Sequence, residues 1–196
     1  MKRMRDQNIN TAEYWDERYR AGDHLWNAGD IIGLTAAQLR PGETVLDVGV
    51  GSAIIASGIA RLVPGLTFYG CDISAVAINR LRARTDLGFQ FERLFVHDAR
   101  APYEGLPIAD AVVANELLEH MEDPEAVLTN LAGMARRAVV VSTPHQWKIR
   151  SPEHLWAFEE DDLLAMLARH GDARVWPARA GQNMVGVACK HTSKHP

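Results

Sequence analysis

Val45-Leu-Asp-Val-Gly-Val-Gly-Ser-Ala53 decides the fold. Thr44 to Val48 is a short apolar run rich in β-branched residues, the pattern of a buried strand. Gly49 and Gly51 follow it, and Ile54-Ile-Ala-Ser-Gly-Ile-Ala-Arg-Leu62 then carries apolar residues at helical spacing. Strand, glycine turn and helix in that order form the first βα unit of a doubly wound α/β fold. Glycine accepts positive φ and lets a ligand lie against bare backbone, and the helix N-terminus beyond offers unpaired N–H groups to a carboxylate or phosphate. A nicotinamide fingerprint needs a third glycine three residues after the second, where Ile54 stands. A tight βα turn with no ligand has the same local pattern, so the turn alone leaves that alternative open.

The spacing that does fit is acid-x-Gly-x-Gly-x-small, with Asp47, Gly49, Gly51 and Ala53. In its setting it resembles the first motif of the class I S-adenosylmethionine-dependent methyltransferases, with alanine where glycine is usual. Three further stretches carry the same resemblance. Tyr14-Trp-Asp-Glu-Arg-Tyr19 is similar to the leading helix of small methyltransferases, Leu118-Glu-His-Met-Glu-Asp-Pro124 to the segment after strand four, and Ser142-Thr-Pro144 to the end of strand five. The resemblance runs nearly the length of the chain. It implies a Rossmann-like sheet of seven strands, order 3-2-1-4-5-7-6, with the last strand antiparallel. It also implies an N-terminal helical lid over residues 1–40, a methyltransferase domain over 41–190 and a tail over 191–196.

With 196 residues, 47% hydrophobic and 23% charged, the chain is long enough for one domain with a real core. A formal charge of -4 gives no global positive field for nucleic acid or anionic lipid. Met1 to Asn8 is basic, but no apolar stretch of signal-peptide type follows, and no segment approaches the roughly 20 apolar residues of a membrane span. The expectation is a cytoplasmic protein with reduced cysteines and a small-molecule substrate, its oligomeric state open. Cys71 falls in strand two and Cys189 in strand seven, which the expected order sets four strand spacings apart, ~19 Å against the ~7 Å limit for a disulfide.

Read in order, residues 1–10 form a polar arm that is expected to fray. Thr11 to Arg20 is a short helix whose Tyr14, Trp15 and Tyr19 either cover an apolar opening or only pack on the sheet. Gly22, Gly29 and Gly33 around Trp26 make a flexible connection, and a second helix spans Asp30 to Leu39. Leu66 to Asp72 is the second strand. Asp72 lies 21 positions after Gly51, where this kind of fold places a ribose-binding carboxylate, although a lone acid there also suits an N-cap for the helix from Ser74 to Thr85. Ile73 offers an apolar face to an adenine ring. A third strand lies within Phe89 to Val96, and His97 is read as a surface residue. The resemblance gives Asp98 to the adenine amino group and the Ala99 N–H to a ring nitrogen. Ala109 to Asn115 is strand four, and its carboxyl end, with Asn115, lies at the topological switch where ligands bind. Arg137 to Thr143 is strand five, and a helix near Glu159 and two closing strands, Ala173 to Trp176 and Met184 to Cys189, complete the sheet.

Residues 144–158 form a long loop with His145, His154, Trp147, Trp156 and Arg150, read as a substrate wall. The expected reaction is S-adenosylmethionine-dependent methylation of a small molecule, at oxygen. In that chemistry the sulfonium is an activated donor, and the protein aligns the acceptor and takes its proton, for which His120, His145 and His154 are candidates. A cofactor-binding protein without catalysis uses the same loop, Asp72 and Asp98. Glu116-Leu-Leu-Glu119-His120 also resembles the metal motif of some O-methyltransferases, including ubiquinone-pathway enzymes and small-RNA terminal 2′-O-methyltransferases. With His154 it makes a candidate site for Mg²⁺ or Mn²⁺ on the expectation that one helical turn brings Glu116 to Glu119 and His120. Such an ion would hold two vicinal oxygens of a diol, as at an RNA 3′ end, though the acidic net charge speaks against RNA.

Overall fold

The computed structural model describes residues 1–22, 28–146 and 151–190. Seven strands, β1 (Thr44–Val48), β2 (Thr67–Asp72), β3 (Phe91–Val96), β4 (Ala109–Asn115), β5 (Ala135–Pro144), β6 (Asp172–Ala178) and β7 (Asn183–Cys189), form one sheet. Its order is β3-β2-β1-β4-β5-β7-β6. The first five strands are mutually parallel, and β7 runs antiparallel to both β5 and β6. The expected order and the antiparallel end are both borne out.

The central strands form because they are buried on both faces. Val45, Leu46, Val112, Val113, Val140 and Val141 are all at or near zero exposure, and such continuous β-branched runs are stable only when covered by helices. One face carries α5 (Pro124–Met134) and α6 (Glu160–Ala168), with Leu128, Leu131 and Leu163 in its core. The other carries α2 (Gly29–Ala36), α3 (Ile54–Leu62) and α4 (Ala75–Ala83), packed through Ile31, Ile59 and Ile78. A helix α1 (Ala12–Ala21) lies against α4 at the carboxyl end of the strands. Among the described residues no helix is long and apolar enough to cross a membrane.

Two expectations need correction. The first ten residues are not a loose arm. Lys2–Arg3 pairs antiparallel with Trp156–Ala157, Met4 N–H donates to the Leu155 carbonyl at 2.8 Å, and Asn10 is buried. The exposed backbone of the segment after β5 gives the arm hydrogen-bond partners that its own sequence does not reveal. Nor is 144–158 a plain loop, because His145 and Phe158 form a bridge that closes it at its base. Element ends move by one to three residues: α2 starts at Gly29 and stops at Ala36, α4 ends at Ala83 and β5 begins at Ala135, while β3 lies within the expected bounds. The Trp26 connection, Trp147, Arg150 and the 191–196 tail fall outside the described residues.

Candidate active site

The turn between β1 and α3 is built from left-handed residues: Gly49 at φ +75°, Gly51 at +51° and Ala53 at +59°. Gly49 and Val50 donate their N–H groups to the Cys71 carbonyl, at 2.8 and 3.0 Å, which ties the turn to β2. Asp72, at the end of β2, fixes it further: its Oδ2 accepts from Gly51 N–H and its Oδ1 from Ser74 N–H, each at 2.9 Å. Ser74 itself caps α4 through its hydroxyl, so the capping role weighed for Asp72 belongs to its neighbour. Each carboxylate oxygen has a second acceptor direction, which leaves Asp72 able to receive ribose hydroxyls. Burial raises the Asp72 carboxyl to about 6, against the pull of those two backbone bonds. Asp47, on neighbouring β1, is raised to about 7 by burial and by the Asp72 charge.

Two cavities adjoin the turn. The larger, about 220 Å³, is lined by Asp47, Gly49, Gly51, Ile54, Asn115, Glu116, His120, His154 and Arg179 among others. The smaller, about 80 Å³, is lined by Gly49, Asp72, Ile73, His97, Asp98, Ala99 and Leu117 among others. Trp15, Tyr19, Gly49, Glu116 and His120 border both. The structure therefore brings all eight residues singled out for the cofactor to one cleft. Asp98 is occupied: Arg100 donates to it through Nε and Nη2 at 2.7 to 3.0 Å, and although burial pushes the carboxyl up, that fork holds it below its ordinary range. Ala99 and Ile73 give the small cavity apolar wall. His97, read as a surface residue, instead lines this cavity with its ring 5.0 Å from Tyr103. Asn115 accepts from Thr35 at 3.4 Å, while its buried Nδ2 has no partner among the described residues, as an amide waiting for a ligand acceptor would.

The cleft is roofed by α1. Trp15 meets the His120 ring edge-on at 5.3 Å, and Tyr19 is buried over the turn, its hydroxyl 2.5 Å from where a Gly51 Cβ would lie. Thus α1 covers the opening, as one of the two readings of its aromatic residues expected. Glu153 anchors it. This buried carboxylate accepts from Tyr14 Oη at 2.6 Å and from Ser151 Oγ, and lies 3.5 Å from Arg18. Sequence reasoning missed Glu153, and it missed Arg179.

His120, His154 and Glu119 meet beneath this roof, with one ligand atom from each within 4.8 Å of the others. The His120 Nδ1 lies 3.2 Å from the Glu153 carbonyl, so it carries the proton there and leaves Nε2 as the basic nitrogen, 3.8 Å from Glu119 Oε1. Glu119 is fully buried, and neither oxygen has a hydrogen-bond partner among the described residues. Burial, reinforced by the Glu116 charge, drives its carboxyl far up, toward the neutral form. Glu116 stands outside this trio. At φ +51° it interrupts the helical phase, and its carboxylate is held by Ser142 Oγ and Asn183 Nδ2, both at 2.7 Å. The single helical turn expected to join it to Glu119 and His120 is replaced by a 3₁₀ turn, Leu118–His120. His145 borders neither cavity: its Nδ1 lies 3.1 Å from the Gly181 carbonyl and its Nε2 is 3.8 Å from Glu159.

Comparison with known proteins agrees with this geometry. Residues 46–138 match the model of the family described as "Methyltransferase domain". An uncharacterized methyltransferase of Mycobacterium tuberculosis (strain ATCC 25618 / H37Rv) is 33% identical over 115 residues, 57% of this chain and 56% of that protein. A ubiquinone biosynthesis O-methyltransferase of Klebsiella pneumoniae is 31% identical over 100 residues, 48% of this chain and 39% of that protein. The chain spans about half the length of the curated relatives it matches. In fold it is similar to magnesium protoporphyrin IX methyltransferase from Synechocystis PCC 6803 with bound S-adenosylhomocysteine, at a TM-score of 0.67 and 18% identity over 92% of this chain and 98% of that one. It is also similar to a methyltransferase in complex with the Trm112 activator of Haloferax volcanii, at 0.70 and 14% over 96% and 100%. A doubly wound sheet with a glycine turn after its first strand and an acid at the end of its second defines a Rossmann-like α/β protein. Within that class, the match of residues 46–138 to a methyltransferase domain and the likeness of the sheet to solved methyltransferases support a class I S-adenosylmethionine-dependent methyltransferase.

Proposed function

We propose that this chain transfers the methyl group of S-adenosylmethionine to an oxygen of a small-molecule acceptor. The observation that carries the reading is that His120 and His154 line the same cavity as the glycine turn. The bound cofactor supplies a sulfonium-activated methyl group. The turn at Gly49 and Gly51 gives it backbone to lie against, Asp72 receives the ribose hydroxyls, Ile73 and Ala99 face the adenine, and the Asn115 amide donates at the methionine end. His120, its tautomer set by the Glu153 carbonyl, takes the proton of the acceptor hydroxyl at Nε2, and the α1 roof excludes water. General-base assistance of this kind is worth ~10²–10⁴-fold.

The test begins with calorimetry of S-adenosylhomocysteine, followed by turnover of S-adenosylmethionine with phenols, catechols, sugars and RNA ends. Binding with a methyl ether product, and a His120→Asn variant that binds as well but turns over at least ~10²-fold more slowly, is the expected result. Binding without turnover on any acceptor would make the chain a cofactor-binding protein instead.

A metal-assisted version is favoured by the orphaned Glu119 carboxylate. Glu119, His120 and His154 would hold a divalent ion, which polarises an acceptor oxygen and lowers its pKa. Two imidazoles with one carboxylate form a softer donor set than two carboxylates with one imidazole, and so suit Mn²⁺ better than Mg²⁺. Mn²⁺ binding measured by electron paramagnetic resonance, lost in Glu119→Gln, tests this without reference to activity. Wild-type protein that ignores Mn²⁺ and works fully in EDTA would leave the trio to proton transfer.

A further inference from the structure

The hairpin between β6 and β7 turns on three consecutive left-handed residues, Arg179 at φ +48°, Ala180 at +53° and Gly181 at +78°. Two of them carry side chains, and such conformations persist only where the surroundings over-determine them, commonly at ligand sites. Here the surroundings do. Asp30 Oδ2 accepts from Arg179 N–H at 3.0 Å, His145 Nδ1 meets the Gly181 carbonyl at 3.1 Å, and His145 N–H donates to the Gln182 carbonyl at 2.9 Å. This gives His145 a task away from the cavity: it holds the hairpin tip.

The tip delivers Arg179 to the wall of the larger cavity, where it is the one lysine or arginine among the described residues that line it. Its guanidinium is oriented through a relay. Nη1 donates to Asn183 Oδ1 at 3.2 Å, the fully buried Asn183 donates through Nδ2 to Glu116 Oε2 at 2.7 Å, and Ser142 Oγ donates to Glu116 Oε1. Asn183 thus bridges the cation and the acid, and the guanidinium it orients has the fork geometry that matches a planar carboxylate. Of the three carboxylates among the described residues that line the cavity, Asp47 and Glu116 are pushed up to about 7 by burial, while Glu153, held below its ordinary range against its burial, is answered by Tyr14 and Arg18.

We propose that Arg179 anchors a carboxylate on the methyl acceptor, so that the acceptor class is hydroxy acids. The inference rests on the methyltransferase reading above and adds the substrate class. Arg179 is assigned to the acceptor rather than the donor because the donor's own carboxylate has the N-terminus of α3. That helix has neither a side-chain cap nor an acid in its first turn, and its first residues Ile54 and Ile55 line the same cavity. Arg179 instead reaches the cavity from the β6–β7 hairpin, held through Asn183 rather than through the turn that receives the donor.

The experiment uses the full chain loaded with S-adenosylhomocysteine and follows binding of hydroxybenzoates and the matching hydroxybenzamides by calorimetry. Wild type is expected to prefer the acids by about 10- to 100-fold, the range for bonds to a charged group. Arg179→Gln should abolish that preference and Arg179→Lys restore part of it, with S-adenosylhomocysteine affinity unchanged in both. Arg179→Lys carries the comparison if the glutamine variant fails to fold. Wild-type protein that holds S-adenosylhomocysteine but shows no preference for the acids, or binds neither compound, overturns this inference and spares the methyltransferase reading. Loss of S-adenosylhomocysteine affinity in Arg179→Lys would give the arginine to the donor and overturn it as well. Wild type that fails to bind S-adenosylhomocysteine overturns both.

Discussion

Asp47 in β1 and Asp72 at the end of β2 are buried on adjacent strands, and burying two carboxylates there has a cost that depends on pH. An unfolded aspartate releases its proton near its ordinary value, whereas folded Asp47 keeps it until about 7. Between those values the native state binds more protons than the unfolded one. Stability therefore falls as pH rises through that window, by at most ~1.4 kcal/mol per pH unit for one group. Asp47→Asn removes this group's share of the dependence: urea unfolding of the ligand-free protein should show it more stable than wild type at pH 8, by on the order of 4 kcal/mol, and equal near pH 4. At Gly51 the constraint is steric, since φ is +51° and a Cβ would lie 2.5 Å from the Tyr19 hydroxyl. Gly51→Ala should cost ~1–3 kcal/mol, and in a Tyr19→Phe background less by ~0.5 kcal/mol or more, a coupling that a double-mutant cycle measures.

Among the elements, α1 depends on contacts far away in sequence. Tyr14 donates to the buried Glu153, and Asp16 Oδ1 accepts from Ser74 Oγ at 2.6 Å and Val76 N–H at 3.1 Å at the start of α4. Tyr14→Phe leaves a buried charge short of one donor, at ~1–3 kcal/mol, and the loss should appear as faster hydrogen exchange in α1 with the central strands unaffected. These contacts also mark where the sequence stops being legible. The βα alternation showed itself because buried parallel strands must be continuously apolar, and the aromatic residues of α1 stood out as too large and too many for a solvated helix. Glu153 gave no signal, because a carboxylate that matters only for partners 139 residues away looks like any loop acid. Glu116 misled for a local reason. Its spacing to Glu119 fits a helix face, but its left-handed backbone breaks the phase before the 3₁₀ turn begins. Arg179 was hidden because two non-glycine residues at positive φ aim it, and sequence patterns do not announce such a turn.

For the molecule as a whole, strand order is the feature most open to a simple chemical check. Cys71 is buried in β2 and Cys189 lies in β7, and both are free thiols. Two thiols should react with Ellman's reagent in denaturant without reductant, while in the native protein Cys71, held in its protonated form by burial, reacts far more slowly than Cys189. A native disulfide between them would contradict the order of the sheet.

The roof has a further effect, on time rather than affinity. Asp98 borders only the smaller cavity and Asn115 only the larger, with Trp15 and Tyr19 lining both. A molecule that reaches from one to the other lies against Trp15 and Tyr19, so if α1 has to swing aside to admit it, the Tyr14–Glu153 bond is what must open. Entry would in that case be a gated event. In stopped-flow mixing the observed rate should climb with ligand concentration and level off at the opening rate of α1, and Tyr14→Phe should raise the plateau.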